Sequence, residues 1–165
     1  VWRGGCCILM RAVLAANNCC DRAIWLADSF AGVPVSDADA DRKYAMDPSL
    51  LPVLAVPVDE VKENFQRFGL LDGQVRFLEG WFEETLPGSN TGPLSLLRVD
   101  CDLYKSTMTV LKALYGKVSA GGWVIIDDYG ILPPCRAAVD EFRSENRIME
   151  PLEPIDDHAV FWRVS

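Results

Sequence analysis

Two apolar runs in this chain stop abruptly at paired aspartates. One is Leu94-Ser-Leu-Leu-Arg-Val-Asp-Cys-Asp-Leu-Tyr104 and the other is Gly122-Trp-Val-Ile-Ile-Asp-Asp128. Apolar runs bounded by charge read as buried parallel strands with the carboxylates at their C-terminal edge. Ala23-Ile-Trp-Leu-Ala27, ended by Asp28-Ser29, and Val75-Arg-Phe-Leu78 read as further strands. Between them lie helical patterns. Gly4-Gly5 predicts a tight turn into a helix from Cys7 to about Asn17. Val58 to Phe68 predicts a helix with Val58, Val61, Phe65 and Phe68 on one apolar stripe and Gly69 as its stop. Asp59 and Glu60 suit the positive end of its dipole. Lys105 to Lys117 predicts a helix entered through Ser106 or Thr107, and Pro134 to Asn146 a helix that begins with proline. Ala120-Gly-Gly122 reads as a turn. Pro151 to Ile155 and Ala159 to Val164 read as a closing strand pair, with His158 an exposed bystander in the connection. Strands alternating with helices predict an α/β fold: a mostly parallel sheet covered on both faces, plus a C-terminal antiparallel strand.

Phe30 to Pro52 lacks periodicity and holds Pro34, Pro48 and Pro52, so it reads as a solvated loop or substrate lid. Its run Asp37-Ala-Asp-Ala-Asp41 has the acidic alternation of a calcium loop. The sixth position is Arg42 rather than glycine and the twelfth is Pro48 rather than glutamate, so that reading fails.

In an open α/β sheet, ligands bind outside the carboxyl ends of the strands. If the two acidic strands are neighbours, Asp100, Asp102, Asp127 and Asp128 share one small volume. Their mutual repulsion calls for a hard divalent cation with oxygen ligands, Mg²⁺ most simply. The alternative is that they cap the following helices. Asp28 ends the second strand, where an acidic residue accepts hydrogen bonds from ribose hydroxyls or merely caps a turn. Gly4-Gly5 either lets backbone amides approach a ligand or only connects two elements. An aromatic in Glu79-Gly80-Trp81-Phe82 either stacks on an adenine ring or closes the core.

Composition narrows the partners. The 165 residues fit one domain, half of them hydrophobic, with a net charge of −8 and no basic run. That argues against nucleic acid and against an anionic membrane. Six cysteines without a C-x-x-C pair, and a single histidine, argue against zinc. The cysteines are expected to be reduced, in a cytoplasmic setting, with the adjacent pairs Cys6-Cys7 and Cys19-Cys20 behaving as small buried residues. No apolar run reaches transmembrane length. Val1-Trp-Arg-Gly-Gly5 looks like a strand end entering a turn, so the chain is expected to begin inside an element of a longer protein.

Taken together and in order, several motifs carry a family resemblance. They are Val1-Trp-Arg-Gly-Gly5, Ala27-Asp-Ser-Phe-Ala-Gly-Val-Pro34, Gly69-Leu-Leu-Asp72, Gly80-Trp-Phe82 with Thr85-Leu-Pro87, Leu97-Arg-Val-Asp-Cys-Asp-Leu-Tyr104 with Ser106-Thr107, Gly121-Gly-Trp-Val-Ile-Ile-Asp-Asp-Tyr129 and Phe161-Trp-Arg163. This set resembles the macrocin O-methyltransferase family, which methylates sugar hydroxyls on macrolide and aminocoumarin natural products, and it covers nearly the whole chain. The resemblance implies a Rossmann-like, S-adenosylmethionine-dependent methyltransferase fold that also uses Mg²⁺. By position it implies Gly4 and Gly5 in the cofactor loop, Asp28 with Ser29 at the ribose, and Gly80 and Trp81 near the adenine. It implies Asp100, Asp127 and Asp128 as metal ligands, with Asp100 also the base. The family's acidic residue and glycine before Val1, and its upstream helical segment, are not in this sequence. Residues 1–165 are therefore expected to be one N-terminally truncated methyltransferase domain, its first strand largely missing. Cys101 stands where the family has a small residue, and Gly116 where it often has proline.

Methyl transfer to a glycoside hydroxyl is thus the expected activity, with a small-molecule acceptor as partner; a homo-oligomer is allowed for. Two alternatives are a metal-dependent glycosyltransferase, from the D-x-D pattern of Asp100-Cys101-Asp102, and an inactive S-adenosylmethionine-binding fragment.

Overall fold

A computed structural model describes residues 1–44 and 51–165. They separate into two units. The first holds residues 1–35 and 51–85; the second holds residues 36–44 and 86–165. The part of the expected loop that spans 45–50, Pro48 included, lies outside the described residues.

In the first unit, helix α1 (Gly5–Ala16) precedes strand β1 (Ile24–Asp28), which pairs in parallel with β2 (Val75–Glu79). Helix α3 (Val58–Arg67) and the short α4 (Phe82–Thr85) complete it. Ile8, Leu26, Phe30, Val56, Val61, Phe65 and Val75 form the core. Hydrophobic burial follows the expected α3 stripe at Val61 and Phe65. Phe68 departs from it: the helix ends one residue earlier, and Phe68 is 68% exposed. A buried Arg11 on α1 is ion-paired to Asp72 before β2, joining two segments far apart in sequence. The adjacent cysteines are also unlike the expectation. Cys6 and Cys20 are exposed, and Cys7 and Cys19 only half-buried; α1 turns Cys6 outward with Leu9 and Val13, and Cys19 and Cys20 lie beyond its end. Among the six free cysteines only Cys135 is buried.

The second unit carries a four-stranded sheet in the order β3-β4-β6-β5. Strand β3 (Leu94–Val99) runs parallel to β4 (Val118–Ile126). Strand β6 (Val160–Arg163) runs antiparallel to β4 and to the two-residue β5 (Glu153–Pro154). The expected glycine turn at Ala120-Gly-Gly122 is instead inside β4. The strand accommodates the glycines by a register shift opposite Leu94–Leu96, with Gly121 at φ 79°. Glycine within a strand often marks such a bulge. Helices α5 (Tyr104–Leu114) and α6 (Pro133–Glu145) pack on one another. Their buried side chains, with Val99, Val124, Ile126 and Trp162, make this unit's core. His158 is exposed, as expected.

The segment read as a solvated loop contributes the short helix α2 (Asp39–Arg42) and a buried anchor. Asp41 is only 3% exposed. Its carboxylate accepts hydrogen bonds from Tyr104 N at 2.6 Å, Lys105 N at 3.3 Å and Ser36 Oγ at 2.5 Å. Helix α5 is therefore capped from 63 residues upstream. Ser106 and Thr107, the expected caps, lie buried inside it. A helix start leaves backbone amides without intrahelical acceptors, and any well-placed carboxylate satisfies them. Among the described residues no helix is long and apolar enough to cross a membrane.

Candidate active site

The carboxyl ends of both parallel strand pairs carry the polar residues. In the first unit, Asp28 and Glu79 end β1 and β2 as register partners, and Gly80 N donates to Asp28 O at 3.0 Å. Asp28 Oδ1 accepts from Phe30 N at 2.8 Å, so the turn-capping role is realised at one oxygen. Val1 N lies 2.8 Å from its Oδ2, so the Val1–Gly4 turn sits against the strand end. Ser29 Oγ donates to Gly32 O and accepts from Ala31 N, fixing the same turn. Gly4 caps α1 at φ 85°, and a Cβ there would sit 2.9 Å from Val61 Cγ1; only glycine fits. Gly5 begins α1 with nothing within 4 Å of a Cβ. Gly80 has φ 136°, and Trp81 beside it keeps 38% of its surface exposed rather than closing the core. Asp28, Ser29, Gly80, Trp81 and the Val1–Gly4 turn thus gather at one edge of this unit, with Gly5 next in chain.

In the second unit, Val99 pairs with Ile126, so Asp100 and Asp127 are the next residues on adjacent strands. Asp127 N donates to Val99 O at 2.9 Å. One carboxylate oxygen each from Asp100, Asp127 and Asp128 lie within 4.8 Å of one another. Asp102 leaves the strand direction, at φ 60°, where the chain turns toward α5. It still senses the cluster: burial, then the charge of Asp100, raises its pKa. Asp128 is 8% exposed. Burial first, and then the charges of Asp102, Asp100 and Asp127, push its pKa from 3.8 up to about 7. Its Oδ2 is buried with no hydrogen-bond partner.

Sequence reasoning assigned no role to Arg98, yet it completes the cluster. Its Nη1 lies 2.7 Å from Asp100 Oδ2 and its Nη2 lies 2.6 Å from Asp127 Oδ1. The available signal was a lone charge inside an otherwise apolar strand. Asp41 was missed because its partners are distant in sequence.

Residues of this kind fit a hard divalent cation. The donors are all carboxylate oxygens, which suit Mg²⁺ rather than a soft metal. A buried, unpartnered carboxylate oxygen is also costly unless something positive meets it.

Parallel strands ending in acidic residues, with β6 antiparallel beside β4, fit an α/β fold of the methyltransferase type. The solved structure of the O-methyltransferase NovP matches it at a TM-score of 0.97 and 50% identity, over 100% of this chain and 69% of that one. The chain belongs to the macrocin-O-methyltransferase (TylF) family, whose model matches residues 1–164. It is 51% identical over 166 residues to demethyldecarbamoylnovobiocin O-methyltransferase of Streptomyces niveus. It is 50% identical over 168 residues to 8-demethyl-8-(2,3-dimethoxy-alpha-L-rhamnosyl)-tetracenomycin-C 4'-O-methyltransferase of Streptomyces olivaceus. Both alignments take in 99% of this chain, which spans 63% of the length of either relative.

Proposed function

We propose that the protein transfers a methyl group from S-adenosylmethionine to a hydroxyl of a sugar borne by a natural product, as one methyltransferase domain that uses Mg²⁺. Family membership across residues 1–164 supports the reaction class. The named activities of the relatives, one of them on a rhamnosyl-tetracenomycin, support the acceptor class. The observation that carries the metal reading is the juxtaposition of Asp100, Asp127 and Asp128, the last with a buried, unpartnered carboxylate oxygen.

The chain's own residues divide the work. Asp28 accepts hydrogen bonds from the ribose hydroxyls at its strand end, with Ser29 shaping the turn beside it. Gly4 and Gly5 give the cofactor close access to backbone, and Trp81, next to Gly80, offers an aromatic face to the adenine. Asp100, Asp127 and Asp128 hold the cation. When bound, S-adenosylmethionine supplies an electrophilic methyl group and Mg²⁺ a Lewis acid that lowers the pKa of the acceptor hydroxyl. Asp100 accepts the proton from that hydroxyl. Asp100 is the most exposed of the three acids, which suits a group that must meet a substrate, whereas buried Asp128 suits ligation alone. A glycosyltransferase built on Asp100 and Asp102 would leave Asp127 and Asp128 without a task.

The test is transfer of a labelled methyl group from S-adenosylmethionine to a glycoside acceptor, with and without EDTA. EDTA should abolish turnover, and excess Mg²⁺ should restore it. Asp100→Asn should lower the rate by about 10²–10⁴-fold, the usual worth of a general base, without rescue by Mg²⁺. Full activity in EDTA would remove the metal from the mechanism, and full activity of Asp100→Asn would remove the base.

A further inference from the structure

We infer that Arg98 is a positioning residue that assembles the cation site before any cation arrives. This inference rests on the metal reading above. Asp100 and Asp127 stand side by side at the ends of paired strands, where two like charges repel. Arg98 lies two residues before Asp100, so strand alternation puts the two on one face of β3. Its guanidinium spans the gap, with Nη1 on Asp100 and Nη2 on Asp127.

The pattern of contacts is selective. The guanidinium takes Oδ2 of Asp100 and Oδ1 of Asp127, so each carboxylate keeps a second oxygen. Holding one oxygen fixes the plane of a carboxylate and leaves the other to face a cation. Groups that orient metal ligands in this way often matter to affinity almost as much as the ligands do. The third acid, Asp128, has a buried Oδ2 with no hydrogen-bond partner. The guanidinium thus bridges two of the three acids that form the cluster.

Arginine suits this role for two physical reasons. It stays charged at every working pH, and its rigid fork reaches two acceptors in one plane. Lysine would keep the charge as a point source but lose the fork. Glutamine would keep a donor but lose the charge. If positioning is what Arg98 does, both replacements weaken cation binding. If Arg98 merely neutralises the acids, lysine preserves affinity. If it competes with the cation, glutamine increases it.

The experiment uses Mn²⁺ as the probe and electron paramagnetic resonance of free Mn²⁺ to obtain affinity. Wild type, Arg98→Lys and Arg98→Gln are compared, with thermal melting by circular dichroism on each. Both variants should bind Mn²⁺ about 10–100-fold more weakly than wild type, at melting temperatures close to wild type. Wild-type affinity in Arg98→Lys, or tighter binding in Arg98→Gln, would overturn the inference. Should Arg98→Gln fail to fold, Arg98→Lys decides. Absence of Mn²⁺ binding by the wild type would overturn the metal reading itself, and this inference with it; binding by wild type with unchanged variants would overturn the inference alone.

Discussion

Replacing Asp128 by asparagine removes the cost of ionising a buried acid that lies beside Asp102, Asp100 and Asp127. The substitution keeps the shape and one oxygen but cannot ionise. In the folded chain Asp128 holds its proton up to about 7, against 3.8 ordinarily. The sign follows from proton linkage. Over that interval the native state binds the extra proton, so the Asp128 contribution to stability falls as pH rises. The loss begins near the unfolded pKa and is complete once pH passes the folded one. At roughly 1.4 kcal/mol per pH unit, the interval from 3.8 to about 7 sets a ceiling of about 4 kcal/mol. By pH 5 about a third of that loss has developed. Relative to wild type, Asp128→Asn should therefore gain about 3 kcal/mol between pH 5 and pH 8, and almost nothing more above that. Urea unfolding of both chains in EDTA measures it. Added Mg²⁺ at pH 8 should then stabilise wild type more than the variant, because a ligand that binds only the native state shifts the equilibrium by mass action. A stability difference that stays constant from pH 5 to pH 8 would refute the reasoning: Asp128 would then not be held protonated by its burial and its neighbours.

Two further outcomes follow from the fold. Asp41→Ala removes the acceptor for Tyr104 N, Lys105 N and Ser36 Oγ at a buried position, and should destabilise the chain by about 1–3 kcal/mol; a urea midpoint matching wild type would show that the cap contributes nothing. Asp28→Ala should weaken S-adenosylmethionine binding by about 2–4 kcal/mol while the fold persists, and calorimetry showing unchanged affinity would sink the ribose assignment.

How much of this was legible in the sequence depends on the distance over which each signal acts. Strands β1 to β4 and helices α1, α3, α5 and α6 were readable because apolar periodicity and flanking glycine, proline and charge are local properties. The acidic ends of β3 and β4 were readable for the same reason: a buried strand cannot continue through two aspartates, so Asp100 and Asp127 had to fall at an edge. Their adjacency was a conditional reading that the parallel register of Val99 with Ile126 made definite.

What only the tertiary structure decided involves partners far apart in the chain. Asp41 looked like one more acid in a polar loop, yet it caps a helix 63 residues away. Gly121-Gly122 looked like a turn, yet pairing with β3 and β6 holds that stretch as a bulged strand. Arg98 looked like an interruption in an apolar run, yet it bridges an acid on its own strand to one on the next. Cys6 and Phe68 looked buried by residue type, but which helix face meets a core is a property of the assembled unit. Periodicity tells a chain what it will form locally; which charge meets which is settled only when strands and helices from distant segments come into register.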